Sequence, residues 1–123
     1  MKKHSFFSRE DQNTLPPFLK LQVDKLATKL NTALRSKDKL GTEWFSRKYL
    51  EIIRTLLFLI LENPQQFSND MVASMGEIPA IEDLGLLPEH ENAVINLMHA
   101  EIAEERHLLI EGVLDKIAEV LGE

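Results

Sequence analysis

The chain has 123 residues, 44% of them hydrophobic, no cysteine and a formal net charge of −6. That composition suffices for a packed core and excludes a disulfide framework, a thiolate metal site and a chain disordered throughout. The charge is unevenly placed: residues 1–61 hold twelve Lys/Arg against six Asp/Glu, and residues 62–123 hold two against fourteen.

Residues 1–14 read as a polar lead-in, a place where Ser8 and Asp11 can cap one short turn. Phe6 and Phe7 stand out, since adjacent phenylalanines at a terminus tuck onto the body of a protein or onto a partner. Met1-Lys2-Lys3 is followed by a short polar stretch and not by the apolar run of a secretory leader, so a cytoplasmic protein is expected.

A first long helix is expected over about 16–35. Pro16-Pro17 opens it, because proline is tolerated in a first turn. Leu19, Val23, Leu26, Leu30 and Ala33 or Leu34 follow at spacings of three and four and form one apolar stripe, with Lys20, Lys25 and Lys29 off it. The polar run from Ser36 to Gly41 is expected to end the helix and form a loop.

A second helix is expected over 42–62, with Thr42 as its cap and Asn63-Pro64 as its stop. Phe45, Tyr49, Ile53, Leu56 and Ile60 face one way, and Glu51, Arg54 and Thr55 the other. Leu56 to Leu61 is apolar all round, the pattern of a helix covered on every side. At about 100° per residue Phe58 points among Arg47, Glu51 and Glu62, away from the main stripe. Such a residue belongs to a central helix or to a dimer contact. This apolar run is far short of the ~20 residues a bilayer requires, so no membrane association is expected.

Residues 64–87 are irregular, with short helical turns expected near Asp70 to Met75 and Pro79 to Leu84, the latter ended by Gly85. Pro88 opens a last helix expected to run to about Leu121, with Gly122 as its stop and Gly112 as its weak point. Unbroken, it would be about 50 Å long at about 1.5 Å per residue, too long for a domain of this size unless it bends, projects or pairs with a second copy. The expected fold is therefore all-α: a bundle of three long helices, about 16–35, 42–62 and 88–121, with short turns in 65–87. Together they make a single domain over 1–123. Met71, Met75 and Met98 read as core filler.

His99-Ala-Glu-Ile-Ala-Glu-Glu-Arg-His107 is the stretch with most chemical potential. Within it, Glu104-Glu105-Arg106-His107 resembles the Glu-x-x-His element of the ferritin-like di-iron proteins, and Leu108-Leu109-Ile110 continues that likeness. The resemblance implies a site built from two such motifs and two further glutamates on facing helices. One chain has one motif, so a two-fold dimer would supply the second, with Glu51 as the extra carboxylate and Glu104 and His107 as ligands. Helix geometry points elsewhere. With Ile102 at the centre of the apolar face, Glu104 lies about 200° away and His107 about 140°. His99 and Arg106 fall within the stripe instead. His99 then reads as a core histidine satisfied by one hydrogen bond, and Arg106 as a cation in need of a carboxylate, with Glu51 or Glu43 as candidates, or as an interface residue.

No glycine-rich phosphate loop, Ser-His-Asp order or Cys/His cluster is present, so no catalytic residue, metal or cofactor is assigned. The leading expectation is a small helical module that binds a protein partner or self-associates, most simply as a homodimer. Its surface would be Phe58 with neighbouring Trp44 and the acidic face of the last helix: Glu101, Glu104, Glu105, Glu111 and Asp115. The dimeric metal protein is the alternative. Nucleic-acid binding through Lys20, Lys25, Lys29, Arg35, Lys37 and Lys39 ranks third, because the acidic half repels phosphates and no aromatics interleave with the lysines.

Overall fold

The computed structural model describes residues 4–75, 81–99 and 105–123, with Glu82, Met98 and His99 by backbone alone. It is all-α, without a strand among the described residues. The elements are α1 (Arg9–Asn13), α2 (Pro17–Leu40), α3 (Thr42–Glu62), α4 (Asn69–Ser74), α5 (Ile81–Leu84), α6 (Pro88–Val94), a 3-10 turn (Ile95–His99) and α7 (Arg106–Leu121).

The lead-in is tied down. Phe6 and Phe7 are fully buried, and the Phe7 ring lies 5.8 Å from that of Phe67 beyond α3. The Asn31 side chain clips this segment to α2. Its oxygen accepts from the His4 backbone N–H at 2.9 Å, and its nitrogen donates to the His4 carbonyl at 2.8 Å. The expected cap on α1 is present: Ser8 Oγ accepts from Asp11 N–H at 3.1 Å.

α2 runs one turn further than the polar Ser36–Gly41 stretch suggests, through Leu40. Tertiary contacts hold this turn. Lys37 Nζ sits 5.2 Å from the centre of the Phe45 ring and donates to the Leu84 carbonyl. Gly85, at φ 69°, leaves room for it, since a Cβ there would lie 2.6 Å from Lys37 Nζ. Gly41 alone, at φ 100°, joins α2 to α3. Thr42 is consequently the first residue of α3, and no side chain caps that helix.

With a one-residue joint, α2 and α3 must run antiparallel, and theirs is the largest helix contact. α7 packs on the opposite flank of α3, also antiparallel to it. Arg47 Nη2 near the start of α3 donates to the Leu121 carbonyl at 3.3 Å, and Arg106 at the start of α7 reaches the segment after α3. α2, α3 and α7 thus form a layer with α3 in the middle. α6 and the 3-10 turn pack against its inner side, and α4 contacts the turn. One hydrophobic core joins them, from Phe6 to Leu121.

The last long helix is divided. α6 ends at Val94, a 3-10 turn spans Ile95–His99, and α7 begins at Arg106. Gly112 is not a break; it lies inside α7. The expected helix of about 50 Å does not form, and its length is no argument for a partner. The ends read as expected: Pro88 opens α6, and Gly122, left-handed at φ 79°, closes α7. The short turns of 65–87 materialise as α4 and α5, and Met71 and Met75 are buried.

Candidate protein-docking face

Among the described residues two groups of side chains stand out, one buried polar pair and one open face. The buried pair was not foreseen. Ser46 on α3 is fully enclosed and His90 on α6 is 2% exposed. Ser46 Oγ lies 2.6 Å from His90 Nδ1 and accepts from the Leu87 backbone N–H at 3.1 Å. The two side chains share one proton in this contact, the Ser46 hydroxyl donating to Nδ1 or Nδ1–H donating to the hydroxyl according to the imidazole tautomer. Nε2 lies 3.9 Å from the exposed Glu89 carboxylate. The order Ser–His–Glu has the look of a nucleophile relay, but an enclosed hydroxyl is out of reach of any substrate. The pair's work is structural: it satisfies a helix-opening N–H and pins α6 to α3. A signal was present, since Ser46 stands in the apolar series with Leu50, Ile53 and Leu57, and His90 in that with Ala93, Val94 and Leu97. Tyr49 is also buried, and burial raises its phenol well above the ordinary range.

The open face is the outward side of α3. Trp44, Lys48, Glu51, Thr55, Phe58 and Glu62 recur at spacings of four and three and form one stripe. A groove runs on each side of it. Towards α2 the lining includes Leu26, Lys29, Ala33, Trp44, Lys48 and Ile52. Towards α7 it includes Phe58, Leu61, Glu111, Leu114, Asp115 and Ala118. Arg54 borders both grooves and pairs with Glu123. The first groove is basic at its rim and the second acidic.

The structure brings together three of the residues expected to bind a partner: Phe58, Glu111 and Asp115 share the α3/α7 groove. Trp44 is not their neighbour. It lies half-buried in the other groove, fourteen positions and about 21 Å along α3 from Phe58. Glu105 is exposed at the cap of α7. Glu101 and Glu104 lie outside the described residues, as does the side chain of His99. Phe58 itself is 49% exposed, so the apolar end of α3 is not covered on every side. Leu61 and Leu114 complete the groove floor, and sequence periodicity alone did not single them out because both lie at the margin of their helix's apolar stripe.

Arg106 is only half-buried, and among the described residues it binds no carboxylate. Nη2 donates to the Pro64 carbonyl at 2.6 Å and Nη1 to that of Phe67. Neither Glu51 nor Glu43 is needed, because the chain leaving α3 exposes unpaired carbonyls at that point and a guanidinium can satisfy two at once. His107 is exposed and pairs one turn on with Glu111, at 2.8 Å. Glu51 pairs with Lys48 at 3.9 Å. It lies on the part of α3 beside the end of α7, whereas His107 is next to Arg106 at the opposite end. The structure therefore does not bring Glu51 and His107 together within one chain. Among the described residues no group of three His, Asp or Glu is placed to hold a metal, and no helix is long and apolar enough to cross a membrane.

Compared with known protein families, curated proteins and solved structures, the chain matches none.

Proposed function

We propose that the protein is a small helical interaction module whose α3/α7 groove takes the apolar face of a basic helix. The observation that carries this reading is Phe58. A phenylalanine left 49% exposed beside Leu61, Leu114 and Ala118, with Glu111 and Asp115 at the rim, offers an apolar seat with a charged edge. Seats of this kind suit an amphipathic helix: the apolar side chains supply affinity, and the charges select sign and orientation. With this reading goes the expectation from the sequence of a cytosolic protein that acts by binding a partner; no catalytic activity is proposed.

The test is a titration of two labelled helical peptides, one built of Leu and Lys and one of Leu and Glu, followed by fluorescence anisotropy. The Leu/Lys peptide should bind and the Leu/Glu peptide should not. Phe58→Glu should abolish binding while helical content by circular dichroism is kept. The sign of this substitution is informative, because it adds negative charge. Equal or stronger binding by Phe58→Glu would mean that bulk charge attracts the peptide and the groove does not.

A further inference from the structure

Four of the large hydrophobic side chains that the fold leaves exposed lie at one end of the α2–α3–α7 layer. They are Phe18 (67%) and Leu21 (52%) on α2, Phe58 (49%) on α3 and Leu108 (66%) on α7. Helical spacing aligns each with charged residues of its own helix. Phe18 and Leu21 continue into Lys25 and Lys29, and Lys29 borders the α2/α3 groove. Leu108 continues into Glu111 and Asp115, which border the α3/α7 groove. The outer face of the layer is therefore basic along α2, acidic along α7 and apolar at one end, with the stripe of α3 between.

The two charged edges are also level with each other to within about one helical turn. Counting away from Gly41 in both directions along an antiparallel hairpin puts Lys25 beside Leu57, and Phe18 just past the end of α3. The contacts of α7 with α3, from Arg47–Leu121 at one end to Arg106–Pro64 at the other, put Asp115 near Arg54, about one helical turn from the level of Lys25 and within reach of a lysine side chain, and Leu108 beside the last turn of α3. Within the chain this complementarity is left over. Among the described residues, one side-chain ion pair joins the basic half to the acidic half, Arg54 to Glu123. None engages Lys25, Lys29 or Asp115.

We infer that the partner of this face is a second copy of the same chain, related by a two-fold axis running along α3. This rests on the proposed reading of the α3/α7 groove and names its occupant. Such an axis lays the α2 edge of each copy on the α7 edge of the other. Lys25 then meets Asp115 of the second copy, Phe18 meets its Leu108, and the two Phe58 rings lie close to the axis. A two-fold axis across the helices would set α2 on α2, basic against basic, so the charge pattern selects the first arrangement. Everything the arrangement needs recurs twice, as an isologous contact requires.

Solution mass by sedimentation or light scattering across a wide concentration range tests the inference. The wild type should be dimeric. Lys25→Glu and Asp115→Lys should each weaken the dimer about tenfold, since two pairs per dimer turn from attraction to repulsion. An equal mixture of the two variants should recover a dimer of wild-type strength, because both contacts are then of opposite sign. That recovery also shows that both variants are folded. A wild type that is monomeric at every concentration overturns the inference. So does a dimer indifferent to either reversal, or one that the mixture fails to restore, since the copies would then meet elsewhere. The groove reading is judged separately by titrating the Leu/Lys peptide into Lys25→Glu, whose groove is intact. Peptide binding by a chain whose wild type is monomeric would mean a foreign basic helix and not a second copy.

Discussion

On its inward face α3 buries Phe45, Leu50, Ile53 and Leu57 and encloses the Ser46 hydroxyl against His90. On its outward face the same helix carries Trp44, Lys48, Glu51, Thr55 and Phe58 between two open grooves. Both faces mix apolar and polar residues. They differ in how the polar atoms are satisfied. Inside, Ser46 and His90 find fixed partners at 2.6 and 3.1 Å and fix how α6 sits. Outside, the charges are solvated and can change partner. A polar atom in the core therefore specifies this fold, whereas an aromatic on the surface is free to serve contact with another chain.

The widest contrast is expected between one leucine inside and one phenylalanine outside. Leu50→Ala, at a fully buried position, should cost about 2–5 kcal/mol through lost transfer energy and a cavity. Phe58→Ala should cost less than about 1 kcal/mol in the isolated chain, since half of its surface is already in water. Urea denaturation of both variants at a concentration where the chain is monomeric measures the difference. Equal costs would erase the distinction between the faces.

A smaller effect sharpens the inward side. Ser46→Ala strands the Leu87 N–H and His90 Nδ1 in the core, so it should cost roughly 1–3 kcal/mol. A double-mutant cycle with His90→Ala should return a coupling of about 0.5–3 kcal/mol, as expected of residues in direct contact. Additive costs would show that the two side chains stabilise the fold independently.

The smallest effects test the outward side at the start of α7. Arg106→Ala should cost about 1 kcal/mol, because two carbonyls at the exit of α3 lose their donor. His107→Ala should change stability by less than about 0.5 kcal/mol, as its pair with Glu111 is exposed on both sides. The reverse order in thermal melts would mean that the histidine, and not the arginine, anchors the helix.

Much of the fold was readable from spacing. The stripe of Leu19, Val23, Leu26 and Leu30 is buried as expected, as are Phe45, Tyr49, Ile53, Leu56 and Ile60. Local signals marked the ends well where they act through the backbone: Pro17, Pro88, Asn63 and Gly122 all stand at helix boundaries. Where a distant group decides, spacing misled. The polar run after Ser36 stays helical because Lys37 finds Phe45 and Leu84, 8 and 47 positions away. The candidate face was half legible. Phe58, Glu111 and Asp115 were marked by standing off the apolar stripe, while Trp44 was grouped with Phe58 although it belongs to another groove.

By itself the sequence determined the helical class, the inward stripes of α2 and α3, and the division into a basic and an acidic half. Those properties depend on residue type and on a period of about 3.6, both of which are local. Only the tertiary structure decided that the last helix divides between α6 and α7, that Arg106 turns to backbone carbonyls, and that Ser46 closes on His90. It also decided that the basic edge of α2 and the acidic edge of α7 flank α3 on one face. Each of these depends on which distant donor, acceptor or surface a residue meets, and chain spacing does not carry that information.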